Sequence, residues 1–172
     1  MLNYIRSELY RTARSRGFWM TLTVLTGLTV LLHVVLMLFS AKAPGFRYGN
    51  SSYAYSVLVS SPALFEAAGF LAACILYEAD RRNGNDKNSV AFGISRTEIF
   101  AGKCITGLAA GTALMAVVLA VWAGCATLLL PQEGPVRLVH LLREAAAVFP
   151  STAAALILGI VLLTLFEKSR NK

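Results

Sequence analysis

Long apolar stretches alternate with short polar ones along this chain, and nearly all the charge lies in the polar stretches. Residues 17–41 contain no Asp, Glu, Lys or Arg, residues 48–77 are interrupted only by Glu66, and residues 104–130 and 145–166 carry no charge. A hydrocarbon layer about 30 Å thick needs roughly 20 apolar residues in a helix rising about 1.5 Å per residue, so each stretch is long enough to cross it. Helices are the expected form. An open sheet would leave backbone groups unpaired in lipid, and the stretches lack the alternation of a barrel strand. The pattern therefore predicts an all-α, polytopic membrane protein with four transmembrane helices, at 17–40, 55–78, 96–130 and 145–166. These form a single transmembrane domain over residues 1–172, with a cytoplasmic loop over 79–95.

Residues 2–15 read as an interfacial helix ahead of the first span. Leu2, Ile5, Leu9 and Ala13 fall at helical spacing, and Arg6, Arg11 and Arg14 lie largely off that stripe. Such a helix is expected to lie flat on the inner leaflet, with Tyr4, Tyr10 and Trp19 at headgroup level and the arginines facing anionic lipid. A cleaved signal peptide is the competing reading of the first apolar run. That run exceeds the roughly 7 to 15 residues of a signal core, so it is expected to remain as a span.

Composition agrees with this class. Hydrophobic residues make up 56% of the 172-residue chain, and the mean hydropathy is +0.62, more than a small water-soluble core absorbs. The net charge of +7 has a topological explanation. Counted for alternate sides of the membrane, twelve Lys and Arg fall on one side (Arg6, Arg11, Arg14, Arg16, Arg81, Arg82, Lys87, Arg96, Lys103, Lys168, Arg170, Lys172). Four fall on the other (Lys42, Arg47, Arg137, Arg143). The positive-inside rule places the first side, and with it both termini, in the cytoplasm of a cell-membrane protein. Nucleic-acid binding is not needed to account for the charge.

Little points to catalysis. Two histidines, His33 and His140, supply no triad, and neither a GxxxxGK[ST] loop nor an HExxH motif is present. Cys74, Cys104 and Cys125 have no zinc or disulfide spacing and read as small apolar residues. No catalytic residue, metal site or directly bound cofactor is expected. Asn50-Ser51-Ser52 matches a glycosylation triplet, which has meaning only in a eukaryotic secretory setting.

Three features remain as candidates for function. Glu66 is the one acid inside a span; there it is a polar point on a substrate path, together with His33, or a protonated side chain bonded to a neighbouring helix, or an acid nearer the outer surface than these bounds imply. Gly107 and Gly111 form a GxxxG, and Gly69 with Ala73 and Ala120 with Gly124 repeat a spacing that lets helices approach closely. The third is the polar stretch from Glu78 to Lys103, dense in both signs of charge. It packs Asn83, Gly84, Asn85 and Asn88 among Arg81, Arg82, Asp86 and Lys87. Ser95-Arg96-Thr97-Glu98 then reads as a capping box that starts a helix too long for the bilayer, so its first turns project into the cytoplasm as a stem for the loop.

This layout resembles the membrane subunit of type-2 ATP-binding-cassette exporters. The resemblance rests on Ser7-Glu8-Leu9-Tyr10-Arg11 in the interfacial helix, on the loop opening with Glu78 and carrying Gly84 and Lys87, and on Gly93-Ile94-Ser95-Arg96 and Gly102-Lys103 entering the third span. It covers about residues 3–110, and the remainder follows by hydropathy alone. Such permeases usually have six spans where four are expected here. The resemblance implies that Arg81, Arg82, Asn83, Gly84, Asn85, Asp86, Lys87 and Asn88 dock a separate ATPase, that ATP acts through that partner, and that a second permease subunit, like or unlike this one, joins the assembly. It further implies export of a hydrophobic or peptide-like substrate. The alternative class is a non-transporting membrane protein that binds a partner, as an immunity or assembly factor does.

Overall fold

The computed structural model describes residues 2–43, 46–82 and 95–170. Among them the regular structure is helical throughout. The helices are α1 (Leu2–Ala13), α2 (Arg16–Lys42), α3 (Ser51–Val59), α4 (Pro62–Arg82), α5 (Arg96–Leu129) and α6 (Leu138–Arg170). Three segments are long and apolar enough to cross a bilayer: α2, Thr97–Leu129 of α5 and Leu138–Leu165 of α6. The chain is thus a multi-pass helical membrane protein.

The second apolar stretch is not one straight helix over 55–78. It is broken at Ser60 and Ser61, and Ser51–Val59 meets Pro62–Cys74 at a bend of 67°. A pair bent in this way has the form of a broken span or of a re-entrant loop. The break has a local cause. Proline disfavours α geometry in the residue before it and cannot donate its own backbone N–H, but it suits the first position of a new helix. Both broken ends find partners nearby: the Ser60 amide and hydroxyl both donate to the Ser56 carbonyl, at 2.8 and 2.7 Å, and the Leu64 amide donates to Ser61 at 3.0 Å.

The final stretch differs from its expected start at 145. Its helix begins at Leu138, taking in the residues up to Glu144, and continues through Pro150. Pro150 removes one donor from the ladder, leaving the Ala146 carbonyl without its usual partner four residues on.

The chain divides into two compact units, one of Met1–Thr21, Glu66–Ala113 and Ser151–Lys172, the other of Leu22–Phe65 and Leu114–Pro150. The first is centred on small residues. Ala72, Ala73, Leu156 and Ile160 are buried together, with Cys104 and Leu108 against them. A methyl group added at Gly69 would stand 2.6 Å from the Thr152 carbonyl, one at Gly159 2.8 Å from the Ala73 Cβ, and one at Gly111 2.6 Å from Leu156. Helices α4 and α6 therefore approach backbone to side chain, the geometry that small residues permit in membranes.

The second unit is centred on aromatic and branched side chains: Tyr55, Leu130 and Leu141 are buried with Ala54 and Ala126, and Trp122, Leu36 and Leu58 pack on them. Its turn after α5 is tied to the start of α3. The Ser51 amide donates to the Pro131 carbonyl at 3.0 Å, and the Val136 amide donates to the Ser52 hydroxyl at 3.1 Å. Gly134 passes over Ser52 with φ 102°, and a Cβ there would lie 2.5 Å from that of Ser52. Only glycine takes that backbone without strain. Asn50 caps α3, accepting from the Tyr53 amide at 2.8 Å.

Candidate functional site

Of the residues singled out in the sequence, Arg81 and Arg82 are the last two of α4, and Asn83, Gly84, Asn85, Asp86, Lys87 and Asn88 lie outside the described residues. What the structure does describe is the stem that follows them. The capping box forms: the Glu98 amide donates to the Ser95 hydroxyl oxygen at 3.3 Å, and the Ser95 amide donates to the Glu98 carboxylate at 3.1 Å. Two otherwise orphaned donors are thereby satisfied, and α5 starts sharply at Arg96. One and a half turns later, Gly102 receives the ring of Tyr4 from α1, close enough that a Cβ would stand 2.5 Å from Tyr4 Cε1. Helix α1 is thus seated against the base of α5.

Glu66 is exposed in the second turn of α4. His33 is fully buried in the unit formed by Leu22–Phe65 and Leu114–Pro150. Its Nδ1 stands 2.8 Å from the Thr29 carbonyl. A carbonyl can only accept, so Nδ1 carries a proton, and Nε2 has to be satisfied separately. That Nε2 meets no hydrogen-bond partner among the described residues, and neither does the hydroxyl of Tyr55. Between them in chemistry is Trp122, whose ring meets that of His33 edge-on at 4.9 Å and whose indole N–H donates to the Ala54 carbonyl at 3.1 Å. Buried polar groups in hydrocarbon are expensive and are generally found where they serve a purpose. Sequence reasoning marked His33 but passed over Trp122 and Tyr55. A tryptophan inside an otherwise aliphatic span was the available signal, because its N–H must find an acceptor when buried.

Gly111 packs on Leu156, and Gly107 is buried. The small pair Ala120 and Gly124 behaves differently: a Cβ at Gly124 meets nothing within 4 Å. No group of three or more His, Cys, Asp or Glu is gathered among the described residues in a way that would hold a metal ion. Cys74, Cys104 and Cys125 are unpaired thiols.

Family models, curated proteins and solved structures give no match to this chain. Fold and composition define its class, a helical multi-pass membrane protein, and any narrower reading has to rest on the chain's own residues.

Proposed function

We propose that the chain is the permease subunit of an ATP-binding-cassette exporter in the cell membrane. In this reading it crosses the bilayer four times, with both termini cytoplasmic and α1 at the inner interface. A partner ATPase docks on residues 81–88, and its nucleotide-driven motion is passed to the spans to export a hydrophobic or peptide-like substrate. The observation that carries the reading is the stem. Helix α5 has 34 residues, about 51 Å at 1.5 Å per residue, against a hydrocarbon layer of about 30 Å. Its surplus length lies on the loop side if the span is set by the uncharged run from Cys104 onward. A capped, rigid stem joined to a polar loop converts a few ångströms of partner movement into helix tilt. The unpartnered His33 Nε2 and Tyr55 hydroxyl supply polar contact points for the cargo, and Glu66 offers a further one on α4.

The test is co-purification. The native chain is expected to retain a nucleotide-hydrolysing subunit, and Arg81→Glu with Arg82→Glu and Lys87→Glu is expected to release it without loss of membrane insertion. Retention of a partner without nucleotide hydrolysis would support the non-transporting class instead. If Glu66→Gln leaves export and assembly unchanged, Glu66 has no part in the mechanism.

A further inference from the structure

The interfacial helix was expected from its apolar stripe, but the structure seats it by a different face. Tyr4 packs on Gly102, and Glu8, one turn on, is buried and ion-paired with Arg11. Leu9 and Ala13, on the apolar stripe, are left exposed. Beside them on the same outward side, Arg6, Tyr10 and Arg14 recur at four-residue intervals and are all exposed. Arg14 donates to the Tyr10 hydroxyl at 2.7 Å and lies over its ring. Past the Arg14–Ser15 corner come exposed Arg16, Trp19 and Met20, and the Trp19 indole N–H donates back to the Ala13 carbonyl at 2.7 Å, fixing the corner.

The consequence is a surface of one sign. Residues 2–21 contain a single acid, Glu8, and burial with Arg11 withdraws it from that surface. What remains outward, besides the neutral Asn3 and Ser7, is guanidinium, aromatic and aliphatic: an apolar strip bordered by Arg6, Arg14 and Arg16, with Tyr10 and Trp19 at the join. We infer that the α1–α2 corner is a binding surface for anionic phospholipid head groups, with Leu9, Ala13 and Met20 against acyl chains and the three arginines on phosphate oxygens. Guanidinium matches phosphate geometry with paired donors, and amphipathic aromatics settle at the headgroup level. Arg11, committed to Glu8, is not part of the surface. This inference rests on α1 lying at the interface and is independent of transport.

The experiment uses the full chain in vesicles of phosphatidylcholine mixed with phosphatidylglycerol, with bromine on the acyl chains of one lipid or the other in turn. Bromine quenches tryptophan at contact, and the Trp19 signal is the difference between the native chain and Trp19→Phe, which leaves the interior Trp122 in place. At equal mole fraction, brominated phosphatidylglycerol is expected to quench Trp19 about two- to fivefold more effectively than brominated phosphatidylcholine, the upper figure being one full arginine contact near the surface. Arg6→Gln with Arg14→Gln and Arg16→Gln abolishes the preference, Arg11→Gln keeps it, and lysine at the three positions keeps most of it. In the native chain, which needs no folding control, raising salt from about 0.05 to about 0.5 M shrinks the preference as the charges are screened. Equal quenching by the two lipids at low salt, or a preference that survives the triple Gln variant, overturns the proposal. Absence of quenching by either lipid places the corner away from the bilayer and overturns the interfacial position too, whereas failure of ATPase co-purification leaves this result untouched.

Discussion

The two compact units hold their helices together by opposite means. In the one containing Glu66–Ala113 and Ser151–Lys172, glycines at 69, 111 and 159 let helices close to within a missing methyl group of each other. In the one containing Leu22–Phe65 and Leu114–Pro150, large rings fill the space, the Trp122 indole donates to Ala54, and the Ser52 hydroxyl accepts from the Val136 amide of the turn. Lipid gives no hydrophobic reward for bringing two apolar helices together, so cohesion has to come from close packing or from polar contacts. This molecule uses each in a different unit. The first mode is sensitive to added atoms and the second to removed ones.

That contrast can be broken most sharply at Trp122. Trp122→Ala removes the ring packed edge-on against His33 and the donor to Ala54, and should cost about 3–5 kcal/mol, read as an earlier midpoint in a detergent-denaturation titration followed by circular dichroism. Next comes Gly69→Val. Its Cβ would collide with the Thr152 backbone, which cannot swing aside, so a loss of about 1–3 kcal/mol is expected, with a lower fraction running as a single species in gel filtration. Ser95→Ala should cost about 1 kcal/mol in the same titration by removing the cap of α5. The smallest effect sharpens the comparison, because Gly124→Ala enters open space and should be neutral or stabilising by about 0.5–1 kcal/mol through helix propensity. A large loss at Gly124 would mean that another chain packs there.

What was legible beforehand was whatever depended on neighbours in sequence. Uncharged run length locates α2, α5 and α6, and Ser95 with Glu98 marks the start of α5, because a capping box is complete within four residues. The break at Ser60–Ser61 was missed although Pro62 was in plain view, since counting charges measures whether a stretch tolerates lipid and not whether its backbone can run straight. The early start of α6 at Leu138 escaped for a similar reason: Arg143 and Glu144 end an apolar run without ending a helix. The apolar stripe of α1 was visible, but the face that packs was not, because the Tyr4 contact depends on Gly102, about a hundred residues away. The environment of His33 was equally hidden, because Trp122 comes to it from α5.

Gln132 closes the end of α5: its side-chain amide donates to the carbonyls of Ala126, Thr127 and Leu130 at 3.0, 3.2 and 3.2 Å. Those oxygens are the negative pole of the helix. Replacing this amide by a carboxylate, as hydrolysis of the side chain would, puts an anion against that pole in place of a donor. The wear of a single side chain would then loosen the turn that ties α5 to the start of α3.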